Sequence, residues 1–220
     1  MIIFFDIETI PTTNPDVIED LRKKITPPNN IKKADSIALW MDENREQALN
    51  DLVAKTSFDG MYGSVACIGF AAGYDDAVFG TEDTVSEYDA ITEFYYFINT
   101  IQDANIKFCG HNITGFDLPF LKHRSMILGI KPPAQLLKAM NAKPWDGCIA
   151  DTMLMWNQDK QKRVSLDKLA RALGIRGKDG FDGSMVANEW FNGDRSKVIE
   201  YCKNDVEITR KVYNRLTFNY

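Results

Sequence analysis

Ile2-Ile3-Phe4-Phe5-Asp6-Ile7-Glu8-Thr9 is an apolar run broken by two acids. The part from Ile2 to Ile7 is rich in Ile and Phe, a composition that suits a central strand covered on both faces. Alternation puts Asp6 and Glu8 on one face of that strand, about 6.5 Å apart along it. Two ionised carboxylates on a buried strand repel each other and lose hydration, and a bound cation is the usual remedy. A strand end reaching solvent would also accommodate them. The D-x-E pattern alone is weak. A second copy, Asp205-Val206-Glu207, falls on a helix, where i and i+2 point to nearly opposite sides.

Working outward, further strands are expected at Val65–Ala71, Ala77–Phe79 and Ile106–Cys109. Ser86 is an N-cap candidate for a helix from Glu87 to about Gln102, with Asp89 three residues on. Tyr88, Ile91, Phe94, Tyr95, Ile98 and Ile101 recur along it at helical spacing and read as core. Ser165 caps a second helix carrying Leu166, Leu169, Ala170 and Leu173, with Gly174 as its stop. Interleaved strands and helices make this an α/β chain with a central mixed sheet flanked by helices. The stretch from Pro11 to Gly60 interrupts that pattern. It holds Pro11, Pro15, Pro27 and Pro28, then a helix-like segment from about Ala34 to Lys55, and reads as an insertion or flap beside the sheet.

Two more acids occupy positions a core does not welcome. His111-Asn112-Ile113-Thr114-Gly115-Phe116-Asp117-Leu118-Pro119 follows the Ile106–Cys109 strand directly. Pro119 fits early in a helix, where its missing N–H costs little, so Asp117 sits at or just before the first turn. A plain N-cap would explain Asp117, and a turn would explain Asn112. The last helix spans about Arg195 to Leu216. Its apolar face carries Val198, Tyr201, Cys202, Ile208, Val212 and Leu216, with Asp205 in the middle, one turn after Tyr201. An ionised Asp facing a core is costly unless paired or metal-bound.

The chain has 220 residues, 45% hydrophobic and 26% charged, which excludes wholesale disorder. One domain spanning 1–220 is expected. The net charge of −5 excludes a general basic coat, so nucleic acid would bind through a local patch or through metal ions. Lys160, Lys162, Arg163, Lys168, Arg171, Arg176 and Lys178 form the densest basic stretch, set among Asp151, Asp159, Asp167 and Asp179. It reads as a solvated face or as a phosphate track for a single strand. The glycines of 174–183 suit a connector or a loop near substrate. Asp151 precedes a helix and reads as its N-cap rather than as a fifth site acid. The four cysteines contain no C-x-x-C and read as reduced thiols. With no apolar run of membrane length and no signal peptide, a cytoplasmic location is expected, inside a bacterial or phage-infected cell.

Asp6, Glu8, Asp117 and Asp205 together fit hard divalent cations held by oxygen ligands. Two Mg²⁺ or Mn²⁺ ions about 3.5–4 Å apart would clamp the attacking and leaving oxygens of a phosphodiester. They would also let an acidic protein handle nucleic acid, because the metals invert the local charge.

The motifs Asp6-Ile7-Glu8-Thr9, Asn112-x-x-x-Phe116-Asp117 and Tyr201-x-x-x-Asp205 resemble those of the DEDD 3′–5′ exonuclease superfamily, whose fold is RNase H-like. The form of the second motif is similar to the proofreading exonuclease domain of family B DNA polymerases and its stand-alone bacterial and phage relatives. Tyr201, with Glu200 where a histidine-type member would have His, implies the tyrosine class, DEDDy. The resemblance implies that Asp6, Glu8, Asp117 and Asp205 hold two metals and that the Tyr201 hydroxyl orients or deprotonates the attacking water. It implies that backbone around Thr9 and Ile10 holds the terminal nucleotide. Asn112 would meet the substrate, and Phe116 would pack near a terminal base or sugar. The expected substrate is single-stranded nucleic acid with a free 3′ end, DNA before RNA, with nucleoside monophosphates released. With no polymerase domain after Tyr220, the chain reads as freestanding. An exoribonuclease, and a module of the same fold that only binds nucleic acid or a protein partner, remain alternatives.

Overall fold

The computed structural model describes residues 1–73, 75–80, 86–103, 105–143, 145–157, 162–177 and 180–219, with backbone alone at 75–80. The chain opens with strand β1 (Ile2–Ile10), then helices α1 (Pro15–Lys23) and α2 (Ala34–Lys55) and a 3-10 turn at Thr56–Phe58. Strands β2 (Ser64–Ala72) and β3 (Asp75–Gly80) follow, then helix α3 (Glu87–Thr100) and strand β4 (Lys107–Gly110). Helices α4 (Asp117–Leu128) and α5 (Ala134–Met140) lead to strand β5 (Ile149–Asp151). Helices α6 (Thr152–Asn157), α7 (Leu166–Ala172), α8 (Val186–Asn192) and α9 (Arg195–Leu216) complete it.

The strands form one mixed sheet in the order β3-β2-β1-β4-β5. β1 pairs antiparallel with β2 and parallel with β4, and β4 pairs parallel with β5. The expected strands are present, but β5 was not expected. At three residues it is too short to show a period.

Side-chain alternation along β1 divides the interior in two. Ile3, Phe5 and Ile7 enter the main core with Ile91, Phe94 and Ile98 of α3 and Leu118 and Leu121 of α4. Phe5 packs edge-on to Phe108, their ring centroids 6.1 Å apart. Phe4 points the other way, to Val206 and Tyr213 of α9. On β2, Ala66 and Cys67 both face the α8–α9 side, because a bulge between Glu8 and Thr9 interrupts the register there. Small residues on that side of β2 let α9 come close. A Cβ on Gly69 would lie 2.9 Å from Cys202 Sγ. Gly69 is the cross-strand partner of Asp6, so α9 crosses the sheet at the acid-bearing position.

Local chemistry explains the helix ends. Ser86 and Asp89 form a reciprocal capping box at α3, and Ser165 accepts from the Lys168 N–H at the start of α7. Gly174, at φ +72°, follows α7 as expected. Within the expected α3 stripe, Ile91, Phe94, Tyr95 and Ile98 are buried, but Tyr88 is 50% exposed. Tyr88 lies in the first turn, at the rim where the core stops. α2 covers the segment expected from the sequence, and Leu49 is its one buried residue.

Candidate active site

β1 is longer than β4, and this overhang builds the site. β4 pairs with β1 only at Ile2, Ile3 and Phe4, so the Asp6–Glu8 half runs on past the carboxyl end of β4. The chain leaving β4 fills the space beside it. Asp117 Oδ1 accepts from the Ile7 N–H at 3.2 Å, between the two β1 acids. Asp117 is buried at the first residue of α4, whose N-cap is Phe116. Its carboxylate therefore serves the β1 edge, and a plain N-cap does not describe it. Burial pushes the Asp117 carboxyl up to about 7, opposed by backbone hydrogen bonds at its own N–H and at Ile7. The negative charge of Asp151 adds to the rise.

The loop before Asp117 is shaped by one residue. Asp151 Oδ1 accepts from the Asn112 N–H, and Asp151 Oδ2 accepts from the Thr114 N–H and its hydroxyl, the last at 2.7 Å. Oδ1 also accepts from the N–H groups of Met153 and Leu154. Asp151 is thus the N-cap the sequence suggested and also a clamp on the Asn112–Thr114 loop. The second role depends on β5 lying beside β4, which local sequence does not record. Asn112 adopts φ 64°, and a Cβ on residue 115 would lie 2.5 Å from its Oδ1, so a side chain there would displace the Asn112 amide. His111 ties the same loop to Thr152 Oγ1 and to the Val164 carbonyl.

α9 covers the other side of the acids. Tyr201 and Asp205 are both buried, as the helical periodicity predicted. One ligand atom each from Asp6, Glu8 and Cys202 lies within 4.8 Å of the other two. Among the described residues, no other group of at least three acid, Cys or His side chains is this compact, and Asp117 and Asp205 stand outside it. No local signal in the sequence marks Cys202, on the apolar face of α9, as a neighbour of Asp6. A hydrogen bond with Cys67, burial and the charges of Asp6 and Glu8 hold its thiol well above the usual range. Tyr201 is likewise held above the usual phenol range by burial, then by Asp205, Glu8, Asp6 and Asp182. These four charges and burial together favour the protonated phenol.

Thr9 and Ile10 follow Glu8 in the chain, and Phe116 precedes Asp117. The Thr9 hydroxyl donates to the Ser57 carbonyl at 2.7 Å, and Ile10 packs on the α8–α9 core. Phe116 is half-buried, 5.5 Å from the Phe120 ring. Phe181 stacks at 4.9 Å on Tyr201, and the two help line an open groove of about 770 Å³ with Lys197, Glu200 and Asn204. A second cleft, of about 740 Å³, lies at the amino ends of β4 and β5, by Ile106 and Cys148, and holds none of the expected site residues. Of the basic stretch, Lys160 and Lys178 lie outside the described residues, and Arg171 pairs with Asp167 at 2.9 Å. Among the described residues no helix is long and apolar enough to cross a membrane.

A mixed sheet flanked by helices, with acids on the half of its central strand that overhangs β4, is an RNase H-like α/β architecture. Among solved structures, the family B DNA polymerase of the hyperthermophilic archaeon Pyrobaculum calidifontis is similar, with a TM-score of 0.60 and 17% sequence identity. The similarity covers 98% of this chain and 24% of that chain, so this chain spans only a part of the polymerase's length. At that identity the likeness is one of fold. None of the curated proteins compared matches the sequence. A family model does, over residues 64–219, and the chain belongs to that family: predicted 3′–5′ exonucleases related to the exonuclease domain of PolB. The matched segment contains Asp117, Tyr201 and Asp205 and begins after β1, which carries Asp6 and Glu8.

Proposed function

We propose that this chain is a metal-dependent 3′–5′ exonuclease of the tyrosine class, 1–220 forming one catalytic domain with an insertion at about 11–60. It hydrolyses single-stranded DNA from a free 3′ end and releases nucleoside monophosphates, in the cytoplasm. The observation that supports this reading is that acids from three separated segments lie along the middle of β1 and around Tyr201. Asp6 and Glu8 lie on β1 within reach of Cys202 of α9, Asp117 bonds the Ile7 N–H between them, and Tyr201 of α9 feels the charges of Asp205, Glu8 and Asp6 together.

The donor set fits hard divalent cations, because carboxylate oxygens dominate it and like charges crowd a buried position. Asp6, Glu8, Asp117 and Asp205 would hold two such ions, Mg²⁺ or Mn²⁺, which would supply Lewis-acid charge at the phosphate and acidify water. The chain's own groups do the rest. Tyr201, held as a neutral phenol, is a poor base at neutral pH and a good orienter: its hydroxyl fixes a water by hydrogen bonding. The Thr9 hydroxyl is committed to Ser57, which leaves backbone around Thr9 and Ile10 to hold the terminal nucleotide. Asn112 and Phe116, on the loop clamped by Asp151, meet the substrate beside Asp117. Trimming the loop's freedom in advance lowers the cost of orienting the scissile bond.

The test is digestion of 3′-labelled and 5′-labelled oligonucleotides, as DNA and as RNA, in Mg²⁺, Mn²⁺ or EDTA. The expected result is release of labelled mononucleotide from the 3′ end of DNA, metal-dependent, with a shrinking ladder from the 5′ label. Efficient cutting of a circular single strand would refute the exonuclease polarity. Preferential digestion of RNA would move the substrate assignment to an exoribonuclease.

A further inference from the structure

Phe58 is 73% exposed, and Met61 and Tyr62 beside it are also exposed. Single exposed apolar residues are ordinary on a protein surface. Phe58 differs in what it continues. The Phe120 ring is in the core, Phe116 lies 5.5 Å from it, and Phe58 lies 6.5 Å beyond Phe116. These separations fall in the range for interacting rings. The series runs from the interior to solvent, and its middle member is the residue before Asp117.

The turn bearing Phe58 is held from both sides. The Thr9 hydroxyl donates to the Ser57 carbonyl, and the Thr12 N–H donates to Thr56 Oγ1 at 2.9 Å. On the opposite side Arg124 Nη1 donates to the Gly60 carbonyl at 3.3 Å. The backbone is wedged as well. A Cβ on Gly63 would sit 2.5 Å from the Thr56 carbonyl oxygen, and one on Gly60 3.1 Å from that of Phe120. The backbone of the turn is thus held in place, and it presents the Phe58 ring to solvent beside Phe116 at the start of α4.

We infer that Phe58, contributed by the insertion and outside the three acid motifs, is a stacking platform for an unpaired base of the single strand entering the site. This rests on the exonuclease reading and adds a binding residue to it. The occupant follows from the position and the surface. Phe116 directly precedes Asp117, so a strand whose terminal phosphodiester reaches Asp117 comes close to it, and the neighbouring Phe58 ring offers a π-face without hydrogen-bond donors. Stacking of that kind tolerates every base. The rigid turn means that little ordering cost is added on binding.

The test uses oligonucleotides with a fluorescent adenine analogue near the 3′ terminus, bound to the full chain in an Asp205→Asn background to prevent digestion. Stacking on Phe58 should quench the analogue. Phe58→Ala should weaken binding roughly 5- to 100-fold and relieve the quenching, in line with the measured worth of one base–aromatic stack. Phe58→Trp should restore both, and Phe58→Leu, apolar but without a π-face, should restore neither. Removing the base at the stacked position should erase the difference between the parent protein and the Phe58→Ala variant. Tight, quenched binding that is the same in Phe58→Ala would overturn the inference and leave the exonuclease reading standing. No binding of single strands by the parent protein would overturn both. Self-association that is lost in Phe58→Ala, with strand binding unchanged, would give the ring to a second copy of the chain and overturn the inference.

Discussion

Successive residues of β1 lie in opposite environments. Ile3, Phe5 and Ile7 sit in a continuous apolar core against α3 and α4. Asp6 and Glu8, between and beside them, face α9 among Tyr201, Cys202 and Asp205. The first face stabilises the fold by removing apolar surface from water, at roughly 25 cal/mol per Å². The second works against it, since like charges are gathered where solvent is scarce. The same strand therefore carries one face that stabilises the fold and one whose gathered charges oppose it. The proposed site lies on the second face.

That contrast can be broken first at Asp205. Asp205→Asn should cost more turnover than any other change considered, beyond about 10⁴-fold, because it removes a proposed metal-holding carboxylate. Melting in EDTA should hold or rise, since a like charge is relieved. Retained activity, or collapse of the metal-free fold, would place Asp205 with the apolar face instead. Tyr201→Phe is the next in size. Turnover should fall roughly 10²–10⁴-fold, the usual contribution of a positioned proton-transfer group. Folding should change by about 1 kcal/mol, because the ring is kept. Full activity would show that Tyr201 only fills space against Phe181.

On the opposite face, Phe5→Ala should reverse the pattern. Unfolding stability should drop by about 3–5 kcal/mol, as for other large core truncations. The surviving folded fraction should keep its specific activity at low temperature. Denaturant unfolding combined with activity per folded molecule separates the two. The smallest effect is expected at Asp151, which reaches the site through the Asn112–Thr114 loop and through its charge on Asp117. Asp151→Asn sets an NH₂ against N–H and O–H donors and loses charge-assisted bonds, for about 2 kcal/mol of stability. Turnover should fall far less than in Asp205→Asn, with the loss concentrated in substrate binding. A loss equal to that of Asp205→Asn would argue that Asp151 is itself a site acid.

Local chemistry made much of this legible. The capping box at Ser86 and Asp89, the Ser165 cap and the Gly174 stop are interactions within a few residues, and the structure repeats them. The periodicity of α9 placed Tyr201 and Asp205 on the inner face because 100° per residue decides it. Tyr88 failed because the period says which way a residue points and not where the core ends. β5 failed because three residues carry no period.

The sequence by itself determined which residues are chemically out of place: acids on a buried strand, an acid in an apolar helix stripe, a tyrosine one turn before it. Only the tertiary structure decided what they meet. The β1 overhang beyond β4 gives Asp117 the Ile7 N–H, and the bare Gly69 lets α9 bring Cys202 down to Asp6. The tethered turn after α2 sets Phe58 beside Phe116. These are contacts between segments tens to hundreds of residues apart in the chain. Their strength depends on strand register and helix approach, which no local window of sequence contains.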